Sequence, residues 1–240
     1  MKRLHLNILT LVAGMAILGL TSCILNCVRG SGNMKTETRK VSDFNRISIS
    51  GEYKVVLKQD SSLSLTITAD DNLLKYIKTT VSGDQLRIYN KRNFCNTGQL
   101  TVTVGVRNLE ELSSSGVVEI ESDGKINAKD MRFGLSGSSK ITMDLNAANV
   151  VTSGSGSSEI NLKGQATSHD IDLSGNGKVH AFDFVVGSCE IESSGVGYSE
   201  VDVLNSLSVH SSGASEVKYR GNPSNITNDK SGASSIEKVN

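Results

Sequence analysis

The sequence predicts an all-β fold, a parallel β-helix (β-solenoid) with coils of about 19 residues and Ser/Gly-rich turns. Three observations carry the expectation. From residue 113 onward one phrase recurs, as in SSGVVEIES, GSGSSEINLKG and SSGASEVKYRG. Its copies anchor on Gly116, Gly137, Gly156, Gly175, Gly197, Gly213 and Gly232, at intervals that lie at the short end for stacked repeats. Four residues after each anchor stands Ile120, Ile141, Ile160, Val179, Val201, Val217 or Ile236. Apolar residues then alternate with polar ones, as in Ile141-Met143-Leu145, which is the period of a half-buried strand. No unit has the apolar run a helix needs. A coil of short strands cannot bury its inner face alone and must stack on the next coil.

Taken from the N-terminus, residues 1–22 read as a lipoprotein signal peptide. Lys2 and Arg3 precede an apolar run from Ile8 to Leu20, which is short for a membrane span. The run closes on Leu20-Thr21-Ser22-Cys23, resembling the lipobox of bacterial lipoproteins, so Cys23 is the expected lipidation site. Two or three acyl chains anchor firmly where one is marginal. Residues 23–40 read as lipid anchor and flexible tether, and 41–240 as the folded domain. The expected address is the bacterial cell envelope, as an outer-membrane lipoprotein whose leaflet the sequence leaves open.

Within residues 41–110, Arg46–Ser50, Tyr53–Lys58, Leu63–Thr68, Gln85–Tyr89 and Leu100–Val106 are strand-like. Asp70-Asp71-Asn72 before LLKYI fits a capped helical turn. Gly51 followed by Val55 matches the later phrase, so this region is expected to be the longer-coiled opening of the same solenoid. Three residues after the anchors come Glu119, Lys140, Glu159, Lys178, Glu200, Glu216 and Ser235. Stacked in a column, alternating charges help to fix register. With Cys23 spent on lipid, Cys27, Cys95 and Cys189 allow at most one disulfide, and buried single thiols are the preferred reading.

Composition excludes some classes. With 25 Lys+Arg against 25 Asp+Glu there is no cationic excess for nucleic acid. Gly154-Ser155-Gly156 lacks the Lys-Ser/Thr and helix of a phosphate loop. His169, His180 and His210 sit at different offsets from their anchors, so no metal or other cofactor is expected. Asp144, Asp172, Asp183 and Asp202 recur near similar points of successive units, but at unequal intervals. Their irregular spacing, the lack of Trp and the few Tyr argue against a polysaccharide-cleaving site, and no enzyme is expected.

The chain also resembles the DUF2807 family, whose description is "putative auto-transporter adhesin, head GIN domain". The resemblance rests on Gly30-Ser31-Gly32-Asn33, Val41-Ser42-Asp43-Phe44, SISGEYKVVLKQ (48–59), ADDNLLKYI (69–77) and the SSG/SGS strand phrases. It implies a non-enzymatic, β-helical envelope protein. The expected partners are the membrane, through Cys23, and a glycan or an envelope or host protein. A periplasmic scaffold or sensor in envelope-stress maintenance is the alternative role.

Overall fold

The computed structural model describes residues 27–240. The fold is all-β, with one 3-10 turn at Leu74–Tyr76 and no α-helix among the described residues. The signal segment and Cys23 lie outside the described residues. From Cys27 on, the expected tether gives way to strands. β1 (Cys27–Arg29) pairs in parallel with β7 (Asn93–Cys95), and β2 (Met34–Arg39) pairs antiparallel with β4 (Leu65–Asp70). A disulfide joins Cys27 to Cys95, with Cα atoms 5.7 Å apart, while Cys189 is free and buried. The preference for single buried thiols therefore holds for Cys189 alone.

Most pairing is parallel. β3 (Arg46–Gln59) lies on β9 (Glu111–Asn127), with Arg46 opposite Glu111 and Leu57 opposite Ser122. β9 pairs with β10 (Asp130–Leu135) and with the start of β11 (Ser138–Arg220). β11 is a long extended run that turns repeatedly, and β12 (Asn225–Gly232) and β13 (Ser235–Lys238) pair with its last part. One offset along the chain recurs between partners, as Asp130 pairs with Asn149, Ser206 with Asn225 and Glu216 with Ser235.

The opening region is built differently from the expected long coil. Gly51 stacks against Gly116 although far more than one coil of chain separates them. The intervening chain folds over the other edge of β3. There β6 (Gln85–Asn90) and β8 (Thr101–Val106) pair with it in parallel, side by side. Antiparallel partners then close that end, with β5 (Ile77–Ser82) on β6, β4 on β8 and β2 on β4. Hairpin-like partners of this kind cover strand edges that would otherwise pair with another chain.

Asp70-Asp71-Asn72 does not cap the helical turn, which has no side-chain cap. These three residues hold the Gly30–Asn33 segment instead. The buried Asp70 carboxylate accepts from the Gly32 and Gly98 amides at 2.5 and 3.1 Å. Asp71 accepts from the Ser31 hydroxyl at 2.6 Å, and Asn72 accepts from the Ser31 amide at 3.1 Å. A Cβ on Gly30 would lie 2.6 Å from Asp70 Oδ2. The Gly-Ser-Gly-Asn motif is thus the backbone cradle of a buried carboxylate.

Inward positions form one continuous apolar core. Ile120, Ile141, Ile160, Val179, Val201 and Val217 are all 2% exposed or less, while Ile236, in the last strand, is only half-buried against the core. One anchor is corrected. Glycines stack at 116, 137, 156, 175, 195, 213 and 232, each with its ideal Cβ position 2.3–2.7 Å from the preceding glycine's carbonyl oxygen. Gly197 is not among them; it packs beside Ser193 and Ser215. Counted from Gly195, the buried Ser199 takes the fourth position and Val201 the sixth. Glu200 then stands at the fifth, and Tyr198 takes its place in the charged column.

Candidate binding faces

The stacked glycines define a corner, and the residue before each is serine: Ser50, Ser115, Ser136, Ser155, Ser174, Ser194, Ser212 and Ser231. Direct registers confirm the column at both ends, with Ser50 opposite Ser115 and Ser212 opposite Ser231. At ~4.8 Å between neighbouring strands, seven steps make a hydroxyl ladder ~34 Å long. Two residues further back runs a second outward column, Ser48, Ser113, Gly134, Ser153, Asp172, Glu192, His210 and Asp229. Depressions of about 420 and 400 Å³ lie along these columns and meet at Asp172.

The ladder's hydrogen bonding determines what it offers. Ser136, Ser155 and Ser174 donate their hydroxyls to the Ser114, Leu135 and Gly154 carbonyls on the neighbouring strand segment, at 3.1, 3.5 and 3.5 Å. Their lone pairs therefore face the groove as acceptors. The two longer bonds are weak enough to exchange for a ligand acceptor at little cost. Behind the corner a second set of hydroxyls is buried, with Ser114 and Ser139 bonded at 2.8 Å and Ser211 and Ser234 at 2.8 Å. Gly154 and Gly177 make room there for Leu173, whose methyl carbon lies 2.9 Å from the Cβ position of each.

On the other side of the corner the charged column is real where registers confirm it. Lys140 is opposite Glu119 and bonds Glu159 at 2.9 Å. That hydrogen bond holds the Glu159 carboxyl below its ordinary range and the Lys140 ammonium above its own. Two positions along, His180 Nδ1 and the Tyr198 hydroxyl both reach Glu200, at 2.7 and 2.6 Å. Alternating pairs of this kind favour one register between neighbouring strands and cancel at a distance.

A third depression of about 650 Å³ lies on this side, lined by Asp144, Asn161, His180, Phe182, Asp183, Glu200 and Arg220, among others. It brings together two of the four aspartates considered as catalytic. Asp144 is held between Lys125 and Lys163, at 3.7 and 3.5 Å, and Asp183 is exposed. Asp172 lies on the serine face instead, and Asp202 beside Gly221. The three histidines are also divided. His169 is fully buried, bonded to the Thr152 hydroxyl at 2.9 Å and edge-on to Phe184. Burial pushes its pKa down to about 3, so it is neutral. His180 faces Glu200, and His210 faces the serine groove. Among the described residues no three His, Cys, Asp or Glu converge as a metal site. Burial pushes the Cys189 thiol well above its usual range, which leaves it an inert core residue. The sequence reading missed Phe182 and Arg220, because it weighed only Trp and Tyr as aromatic platforms.

A mostly parallel all-β stack with regular outward faces is the kind of scaffold that presents binding surfaces. The family described as "putative auto-transporter adhesin, head GIN domain" matches residues 43–223, and the chain belongs to it. Among solved structures, a putative adhesin from Bacteroides fragilis NCTC 9343 superposes with a TM-score of 0.83 at 20% identity, covering 88% of this chain and 100% of that one. A putative adhesin from Parabacteroides merdae gives 0.65 at 21% identity, over 90% and 100%. A putative lipid binding protein from Parabacteroides distasonis gives 0.65 at 23%, over 89% and 99%. No curated protein matches the chain. No helix among the described residues is long and apolar enough to cross a membrane.

Proposed function

We propose that the chain is a non-enzymatic, lipid-anchored β-solenoid of the bacterial cell envelope, acting as an adhesin-like binding module. The observation that carries the reading is the serine ladder. Eight hydroxyls stand at one repeating position along an exposed corner, beside a continuous depression. Each contact to a glycan or protein strand is weak, but a repetitive ligand engages several at once and gains by effective concentration. The stacked glycines and the recurring parallel offset support the solenoid. The Cys27–Cys95 disulfide supports an oxidising compartment outside the cytoplasm. Cys23, four residues before the first strand, supports a short membrane tether. The family description and the adhesin names of similar structures point the same way.

The test is protease shaving of intact cells, combined with binding of those cells to a glycan and matrix-protein array. Surface exposure is expected, together with array binding that Ser155→Lys plus Ser174→Lys abolishes without changing the melting temperature. Full protection from protease would refute the adhesin role and turn the search to periplasmic partners.

A further inference from the structure

We propose that the groove around Phe182 and Arg220 is a separate ligand site, for a saccharide whose sugar residue carries one carboxylate, as in a uronic acid. Arg39, Arg46 and Arg107 each pair with a carboxylate. Arg29, Arg87, Arg92, Arg132 and Arg220 make no ion pair among the described residues, and of these only Arg220 has a buried nitrogen without a hydrogen-bond partner. Its side chain is held by stacking on the Phe182 ring, with the guanidinium carbon 4.2 Å from the ring centroid. Its Nε is buried without a hydrogen-bond partner among the described residues. Stacking fixes the plane of the guanidinium before any ligand arrives. A planar, pre-oriented fork with unused N–H donors matches the geometry of a carboxylate.

The surroundings decide what else the ligand carries. The same groove is lined by four carboxylates, on Glu121, Asp144, Asp183 and Glu200. Asp144 is paired with its two lysines and Glu121 with Lys54, while the Glu200 oxygens are engaged by His180 and the Tyr198 hydroxyl. Asp183 is exposed, with no such partner among the described residues. The Asn161 amide nitrogen donates to Glu159 and to the Ile141 carbonyl, which leaves its oxygen as an acceptor. One anion receptor ringed by acceptors fits a ligand with one negative group and several hydroxyl donors. An acidic peptide would bring further carboxylates against the exposed Asp183 and be repelled. The volume of about 650 Å³ lies within the range of small-ligand sites. Because the site uses residues five to eight positions after the corner glycine, it stands independently of the serine ladder.

The full-length protein, purified in mild detergent, would be titrated calorimetrically with galacturonate, maltotetraose and tetraglutamate. Galacturonate is expected to bind, more weakly as salt rises, and maltotetraose at least tenfold more weakly or not at all. Arg220→Met keeps the aliphatic stem and removes the fork. It should lower uronate affinity at least about tenfold, the scale of a lost charged hydrogen bond. Arg220→Lys should recover part of the loss, while Arg92→Met, at an exposed position outside the groove, should change nothing. Unaltered circular dichroism melts would confirm that each variant is folded. Absence of uronate binding would overturn the assignment, as would equal binding of maltotetraose, tighter binding of tetraglutamate, or full affinity in Arg220→Met. Loss of cell adhesion in the serine-ladder variant with uronate binding intact would separate the two sites.

Discussion

Replacing Gly156 by alanine should destabilise the protein far more than replacing Gly124, although both have φ near +88° (88° and 87°). A Cβ on Gly124 would meet nothing within 4 Å, whereas one on Gly156 would lie 2.6 Å from the Gly137 carbonyl oxygen. That oxygen cannot retreat freely, because it accepts the Ser157 amide at 2.8 Å and so joins one coil to the next. Left-handed backbone costs a non-glycine residue roughly 1–2 kcal/mol. Loss of glycine's unfolded-state freedom offsets roughly 0.4–1 kcal/mol of this at either site. Gly124→Ala should therefore be nearly neutral, within about 1 kcal/mol.

Gly156→Ala carries the same strain plus a backbone collision, for which overpacking costs of roughly 1–3 kcal/mol are the guide. The expected gap between the two variants is therefore about 1–3 kcal/mol, or roughly 2–12 °C in melting temperature for a domain of this size. Urea unfolding followed by circular dichroism, with both variants at one pH, measures it. Equal midpoints for the two variants would refute the stacked-glycine corner as the element that fixes coil spacing.

Two further outcomes are expected. His169 has a folded pKa of about 3, below its ordinary value of 6.5, so its neutral form stabilises the fold fully above about pH 6.5. That contribution falls as pH drops towards 3, by about 2 kcal/mol at pH 5. The urea midpoint should therefore decline between pH 6.5 and 5, and His169→Gln should flatten the decline; an unchanged slope would place the proton uptake elsewhere. Reducing the Cys27–Cys95 bridge, which spans 68 residues, should lower stability by up to about 4 kcal/mol on the chain-entropy account. A melt with and without dithiothreitol tests this, and no shift would mean that the bridge restrains only β1.

The stacked corner was legible because the recurring phrase obeys a local rule: small residues at the corner, a β-branched residue inside, a charge outside. The error at Gly197 shows the limit of that rule. Gly195 and Gly197 are both available, and Val201 stands four residues after the wrong one. The serine before the glycine resolves the choice, since Ser194 precedes Gly195 and Val196 precedes Gly197. Taking Gly195 also makes the intervals to Gly175 and Gly213 more even than Gly197 does. Residues 60–110 were not legible as architecture, because their pairing is non-local. β6 and β8 stack on a strand that precedes them in sequence, and nothing in their own pattern states that order. The Cys27–Cys95 bridge and the Asp70 cradle were hidden for the same reason. Both join the first strands to residues far along the chain, Gly32 to Asp70 and Cys27 to Cys95.

The Ser-Gly pair has two separable duties. Glycine lets neighbouring coils approach at the corner, so any side chain there meets backbone. The corner serines lie at outward positions, and the hydroxyls of Ser136, Ser155 and Ser174 bond to carbonyls that strand pairing already positions. Folding therefore constrains the glycine strictly and the serine weakly. Eight serines in succession are more than packing requires, since alanine would fill the same exposed space. The excess points to the surface: a uniform acceptor row suits a ligand that is itself repetitive. The Phe182–Arg220 groove is its opposite, with each residue different from its neighbours along the stack. On the binding roles proposed above, such a site would recognise one chemical group, and a fold with one face of each kind would grip a long polymer while selecting among polymers.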